Sequence, residues 1–131
     1  MSFTNFTPRR PIKSFLDLEV YQKLLAVSVA IVKKIKGEKV VNLALDLPAK
    51  IATAHSLRFS DFNRAVQILE EAMLDCNLLI VRLEQHRDIE NTQIETEFFD
   101  EQIKSLLSVR FKTMHLQQSW KKFQKDYQNA K

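Results

Sequence analysis

The chain has 131 residues, 45% apolar and 27% charged, which suits a single domain around one core and is too short to divide into two. One glycine and three prolines leave few places for tight turns, so multi-stranded β folds are excluded in favour of helices. The formal charge is only +4, the longest dense apolar run (Leu24 to Val32) is shorter than the about 20 residues a bilayer span needs, and the lone Cys76 can form no internal disulfide. These features, with no apolar stretch after the basic N-terminal residues to make a secretory signal, predict a cytoplasmic protein without a membrane span.

Residues 1–13 show no sustained period and contain Pro8 and Pro11, so they read as a flexible arm, made basic by Arg9, Arg10 and Lys13. Residues 14–131 read as an all-α domain, an antiparallel up-down four-helix bundle with a long fourth helix. Helix one is expected to begin near Ser14 to Asp17, either of which can cap it, and to run to Lys36, with Gly37 as its C-terminal stop. Its seam is Leu18, Tyr21, Leu25, Val32 and Ile35, widened by Leu24, Val27 and Ile31, so the helix should touch two neighbours.

Helix two is expected over Glu38 to His55, its stripe formed by Val41, Ala44, Leu45, Pro48, Ile51, Ala52 and His55. Pro48 inside it removes the hydrogen bond to the Ala44 carbonyl and should bend it. Helix three has the cleanest pattern, Phe62, Ala65, Val66, Leu69, Ala72, Met73, Cys76, Leu79, Ile80 and Leu83, with Ser60 placed as N-cap. Gln85 to Thr96 lose the period and read as a loop, with Thr92 or Thr96 as the next cap.

Helix four is expected from about Glu97 to Tyr127, with Phe99, Ile103, Leu106, Val109, Leu116, Trp120, Phe123 and Tyr127 on one side. At about 1.5 Å per residue it would span ~45 Å against ~28 Å for helix one, so its last turns would overhang the bundle. An overhanging Trp120, Phe123 and Tyr127 would expose apolar area suited to a contact with another subunit or a partner. The competing reading has the helix end earlier and these aromatics fold back. The helix also starts acidic (Glu95, Glu97, Asp100, Glu101) and ends basic (Lys121, Lys122, Lys125), which fits macrodipole complementarity or a phosphate-binding surface.

No catalytic, cofactor or metal chemistry is predicted. His55, His86 and His115 are scattered and no pair has ligand spacing, Cys76 has no second cysteine, and Glu-x-x-His, which di-iron bundles need, does not occur. Gly37 alone cannot build a phosphate loop, and no nucleophile motif is present.

Phe15-Leu16-Asp17-Leu18-Glu19-Val20-Tyr21 together with Asp46-Leu47-Pro48-Ala49-Lys50-Ile51-Ala52 resembles the bacterial four-helix-bundle family of the 23S ribosomal RNA intervening-sequence proteins. That family opens on F-x-D-L-x-V-W/Y and carries S-I-P-A-N-I-A-E-G in helix two. Leu47, Pro48, Ala49, Ile51 and Ala52 match the second motif, while Asp46, Lys50, Thr53 and Ala54 depart from it. Phe62, Arg64, Val66, Ile68 and Asp75 fit its next helix, where Glu71 and Ala72 replace the usual Gly-Ser. The similarity covers Phe15 to Leu83 and fades over helix four.

The family includes the accessory variability proteins of diversity-generating retroelements, homopentamers that assist a reverse transcriptase and bind nucleic acid through basic surfaces. The divergence at Asp46, Lys50 and Glu71 favours this branch over the ribosomal one. The resemblance thus implies a non-enzymatic homo-oligomer that binds RNA or DNA, with no small-molecule substrate. Basic residues on each subunit gain from being multiplied by a ring. The candidate phosphate contacts are Arg9, Arg10, Lys13, Lys33, Lys34, Lys36, Lys39, Arg58 and Arg64. No exposed aromatic platform for stacking is evident in the pattern, so base-specific recognition is not expected. The alternative is a protein-interaction scaffold in which Trp120, Phe123 and Tyr127 dock a partner helix and the lysines serve solubility.

Overall fold

A computed structural model describes residues 14–89 and 92–130, and the basic arm with Arg9, Arg10 and Lys13 lies outside them. Four helices follow one another, α1 (Glu19–Lys34), α2 (Glu38–Leu57), α3 (Phe62–Ile89) and α4 (Thr96–Asn129), with no strand among the described residues. Each helix packs on its sequence neighbours and α1 also packs on α4, so α1 and α3 stand at diagonal corners of an antiparallel up-down bundle. As the apolar width of its sequence predicts, α1 touches two neighbours.

Ser14 does act as a cap, but of a separate 3-10 turn, Phe15–Asp17. Its hydroxyl accepts from the Leu16 amide at 3.2 Å and the Asp17 carboxylate accepts from the Ser14 amide at 3.3 Å. Leu18 is extended, and α1 starts only after it. The helix ends at Lys34, and Gly37 is not its C-terminal stop. Gly37 has φ −70° and stands at the N-cap of α2 with open space where a Cβ would lie, so its conformational freedom goes unused. α2 runs on through the buried Pro48 to Leu57.

The N-cap of α3 is Asp61 rather than Ser60, because the Asp61 carboxylate accepts from the Arg64 amide at 3.2 Å. α3 also continues to Ile89, where its sequence reads as loop. Thr92 then steadies the connection by accepting from the Ile94 amide at 3.1 Å, and Thr96 lies inside α4.

The core is built from Leu24, Val27, Ile31 and Ile35 against Ala44, Leu47, Ile51 and Ala54, closed by Leu69, Cys76, Leu79 and Leu83 on α3 and by Phe99, Leu106 and Val109 on α4. The α3 stripe lies where its period puts it. On α1 and α2 the reading holds in part: Leu18, Leu24, Val27, Ile31 and Ile35, and Ala44, Pro48, Ile51 and His55, are buried as expected, but Val20, Val40, Leu47 and Ala54 also face inward, while Leu25, Val32 and Leu45 are exposed. Both helices are apolar around much of their circumference, so the period alone does not choose the inward side. Three buried polar side chains satisfy themselves on backbone carbonyls. Ser28 donates to Leu25 at 2.8 Å, Thr113 to Val109 at 2.8 Å, and the Gln117 amide to Val66 at 3.2 Å and to the Glu70 carboxylate at 3.0 Å.

Burial pushes the Cys76 thiol up to about 12, with the neighbouring Asp75 carboxylate adding to the effect. Among the described residues no helix is long and apolar enough to cross a membrane.

Candidate nucleic-acid interface

Among the described residues the candidate cations do not form one surface. Lys33 and Lys34 end α1, and Lys36 and Lys39 follow across the turn into α2; all four are exposed and none has an ion-pair partner among the described residues. The Lys34 ammonium sits 5.7 Å from the centre of the Phe98 ring. Phe98 belongs to the first turn of α4, and Glu95 at its N-cap, Glu97 in that turn and Glu101 in the next are also exposed. The lysine cluster therefore shares its end of the bundle with carboxylates that offset it.

Arg64 sits elsewhere, on the α2–α3 seam. Its guanidinium donates to Gln67 and to Glu71, each at 3.1 Å, and Glu71 lies 4.0 Å from Lys50, which is bound to Asp75. Lys50 and Glu71 thus belong to one ionic network. Arg64 meets a carboxylate in an exposed pair that solvent screens.

At the opposite end of the bundle the structure brings together Arg58, Trp120 and Phe123. The αR backbone of Arg58, just after α2, turns its guanidinium back to donate to the His55 carbonyl at 2.6 Å and to His55 Nδ1 at 3.1 Å. A cation there complements the α2 dipole. Burial lowers the guanidinium pKa from its ordinary value. The same guanidinium lies 4.2 Å from the centre of the Phe59 ring, and Phe59 is 74% exposed in the turn before α3. The other wall is α4, whose unbroken helix puts Trp120, Phe123 and Gln124 at i, i+3 and i+4 on one side. Between the walls, floored by Phe62 and Ser119, is an open cleft of about 250 Å³.

The three aromatic residues of the helix-four stripe divide. Trp120 is half-buried, packs against the core and tilts its ring 6.3 Å from His55. Phe123 and Tyr127 are 60% and 51% exposed. Gln117 is the last buried residue of α4, and the helix continues to Asn129, about 18 Å further along its axis. α4 does not end early, and only Trp120 returns to the core. Lys121, Lys122 and Lys125 are exposed on this stretch without ion-pair partners among the described residues, and Asp126 is the acid beside them.

The cleft therefore supplies the exposed aromatic surface that is not evident in the sequence pattern. Phe59 falls in a turn, outside any stripe, and the period assigns Phe62 to the core stripe of α3 rather than to a cleft. The available signal was Arg58-Phe59-Ser60-Asp61-Phe62 itself, an aromatic connection where turns are ordinarily polar.

Behind the cleft, His55 is buried. Nδ1 accepts from Arg58, which leaves the proton on Nε2, and Nε2 has no hydrogen-bond partner among the described residues. Burial, and then the Arg58 charge, lower its pKa, so the ring is held neutral.

Chemically, the arrangement offers aromatic faces for stacking, a guanidinium already stacked on one of them, and three lysines within one helical stretch. Among the described residues no three His, Cys, Asp or Glu side chains converge as metal ligands would. Comparison with family models, with curated proteins and with solved structures finds no match for the chain.

Proposed function

We propose that the chain is a non-enzymatic protein that binds single-stranded nucleic acid at the aromatic, cationic end of its bundle. The observation that carries this reading is the grouping of Arg58, Phe59, Trp120 and Phe123 around one open cleft; Lys121, Lys122 and Lys125 are exposed on the same turns of α4, around the helix from it. Stacking on an aromatic ring contributes about 1–3 kcal/mol per base, and it is available only where bases are unpaired. The lysines add a phosphate-dependent contribution through counterion release. Sequence resemblance supplies the setting: an oligomeric accessory to the reverse transcriptase of a diversity-generating retroelement, in which each subunit contributes a weak site and the assembly multiplies it.

Fluorescence anisotropy with labelled single-stranded RNA and DNA, and with a duplex of the same sequence, tests the binding. Affinity should fall steeply with salt and should favour the single strands. No binding of either single strand at low salt overturns the proposal. A second reading has the same cleft dock an apolar partner helix, and the exposure of Phe59 and Phe123 favours it. In that case partner binding survives high salt and is indifferent to Lys121, Lys122 and Lys125.

A further inference from the structure

The Arg58 guanidinium spends both of its Nη1 hydrogens inside the protein, one on the His55 carbonyl at 2.6 Å and one on His55 Nδ1 at 3.1 Å. Its Nε–H and its two Nη2–H groups have no partner among the described residues. Nε–H and one Nη2–H point the same way in the guanidinium plane, so what is left is a fork of two parallel donors whose position His55 fixes. Arg58 lines the cleft, and its guanidinium lies over the Phe59 ring, 4.2 Å from the centre. On the facing wall the amide of the half-buried Gln124 has no hydrogen-bond partner among the described residues, and neither has the Ser119 hydroxyl on the floor. An aromatic cleft with a few free polar groups set into its walls is the form that selective ligand sites take.

Resting on the single-strand reading of this cleft, we propose that it holds one unpaired guanine, and that Arg58 and Gln124 select it. A volume of about 250 Å³ is below the roughly 300–1,000 Å³ of pockets for drug-sized ligands, so there is room for one base and not for a stacked run. Of the common bases, guanine alone carries two adjacent acceptors, O6 and N7, that a guanidinium fork takes together. Its other edge carries the N1–H and N2–H₂ donors, for which the Gln124 carbonyl and the Ser119 hydroxyl are acceptors. Adenine sets an amino group beside N7, so one arm of the fork would meet a donor. Cytosine presents an amino group where the fork needs an acceptor, and uracil and thymine offer O4 without a second acceptor next to it. A phosphate would also satisfy the fork. It has no flat face to lay on Phe59, Phe62, Trp120 and Phe123, whereas a base uses the fork and the rings at once.

Anisotropy titrations of the full chain with labelled uridine tracts carrying one central guanine, adenine, cytosine or uracil test the selection. The guanine tract should bind roughly 5- to 150-fold more tightly than the others, as one bidentate pair implies. Replacing the guanine with 7-deazaguanine removes N7 and should abolish the preference with the protein untouched. Arg58→Lys keeps the positive charge and loses the fork, so the ratio of guanine to uridine affinity should fall to about one. Gln124→Leu should erase the difference between guanine and hypoxanthine, which lacks the N2 amino group. Equal affinity for the four tracts overturns the proposal while leaving the single-strand reading standing, and binding of no tract at low salt overturns both. A 7-deazaguanine tract that binds as tightly as guanine, or a guanine preference that survives in Arg58→Lys, also overturns it.

Discussion

The stacking and phosphate contributions at the cleft can be separated by two sets of substitutions read on one plot. Phe123 is 60% exposed, and Lys121, Lys122 and Lys125 are exposed beside it, so replacing them should change folding stability by no more than about 0.5 kcal/mol. If the Phe123 ring stacks one base, Phe123→Ala removes about 1–3 kcal/mol of binding. At about 1.4 kcal/mol per decade, that weakens Kd roughly 5- to 150-fold. Stacking releases no counterions, so the slope of log affinity against log salt should stay where it was. Replacing all three lysines with Gln should do the reverse. Each phosphate contact on a single strand contributes about 0.7 to that slope, so losing three should flatten it by about 2. Anisotropy titrations with one labelled oligonucleotide at several salt concentrations measure both effects. The reasoning fails if Phe123→Ala leaves Kd unchanged at every salt concentration, or if the triple variant keeps the wild-type slope.

Further outcomes follow from the core and its titratable groups. Phe99 is fully buried, and Phe99→Ala should cost about 3–5 kcal/mol in urea denaturation with little change in the denaturant slope. His55 has a folded pKa below 6.5, so below about pH 6.5 the unfolded chain takes up a proton that the native chain refuses, and stability should drop as pH falls through that window. His55→Phe removes both the titration and the orphaned Nε2–H, and thermal melts between pH 5 and pH 7 should show a flatter dependence on pH than wild type, as order-of-magnitude linkage requires. Cys76, fully buried with its thiol pushed up to about 12, should resist alkylation at neutral pH until denaturant is added; prompt labelling of the native chain would contradict its placement.

How much of this was legible in the sequence depended on how many sides of each helix were apolar. On α3 the longest apolar stripe is the inward one, and Ala65, Leu69, Cys76 and Leu83 are buried where the period puts them, although Leu74, Leu78 and Val81 repeat on its exposed side. α1 is apolar nearly all round, and the stripe through Leu25 and Val32 was as regular as the buried one through Leu24 and Ile31. Periodicity detects a second ridge without saying which ridge meets the core. Local capping chemistry was ambiguous for a similar reason: Ser60 and Asp61 are adjacent and both able to cap, and only the geometry of the Arg64 amide decides for Asp61. Thr113 and Gln117 gave no sign of burial, because the carbonyls that satisfy them are set by the fold. Of the cleft, Arg58 and Phe123 were visible one at a time, the first as a phosphate contact and the second as an oligomer contact. Their meeting depends on α4 remaining helical past the turn between α2 and α3.

That extra length also settles which end of the bundle carries an unbalanced field. In an up-down bundle the helix dipoles alternate, two N-termini and two C-termini at each end, so they largely cancel and the side chains set the sign. Along the sides, charge is neutralised in place, by Lys112 with Glu19, by Lys50 with Asp75 and by Arg87 with Asp88 and Asp100. At the end holding the α1–α2 turn, the four lysines face the carboxylates that open α4. At the cleft end, Arg58 and the three lysines beyond Trp120 meet far less opposition, with Asp61 and Asp126 their nearest acids in sequence. Were α4 to stop at Gln117, this end would lose its lysines and one aromatic wall together. The overhang therefore places positive charge and aromatic surface on the same few turns of α4, the lysines around the helix from the cleft.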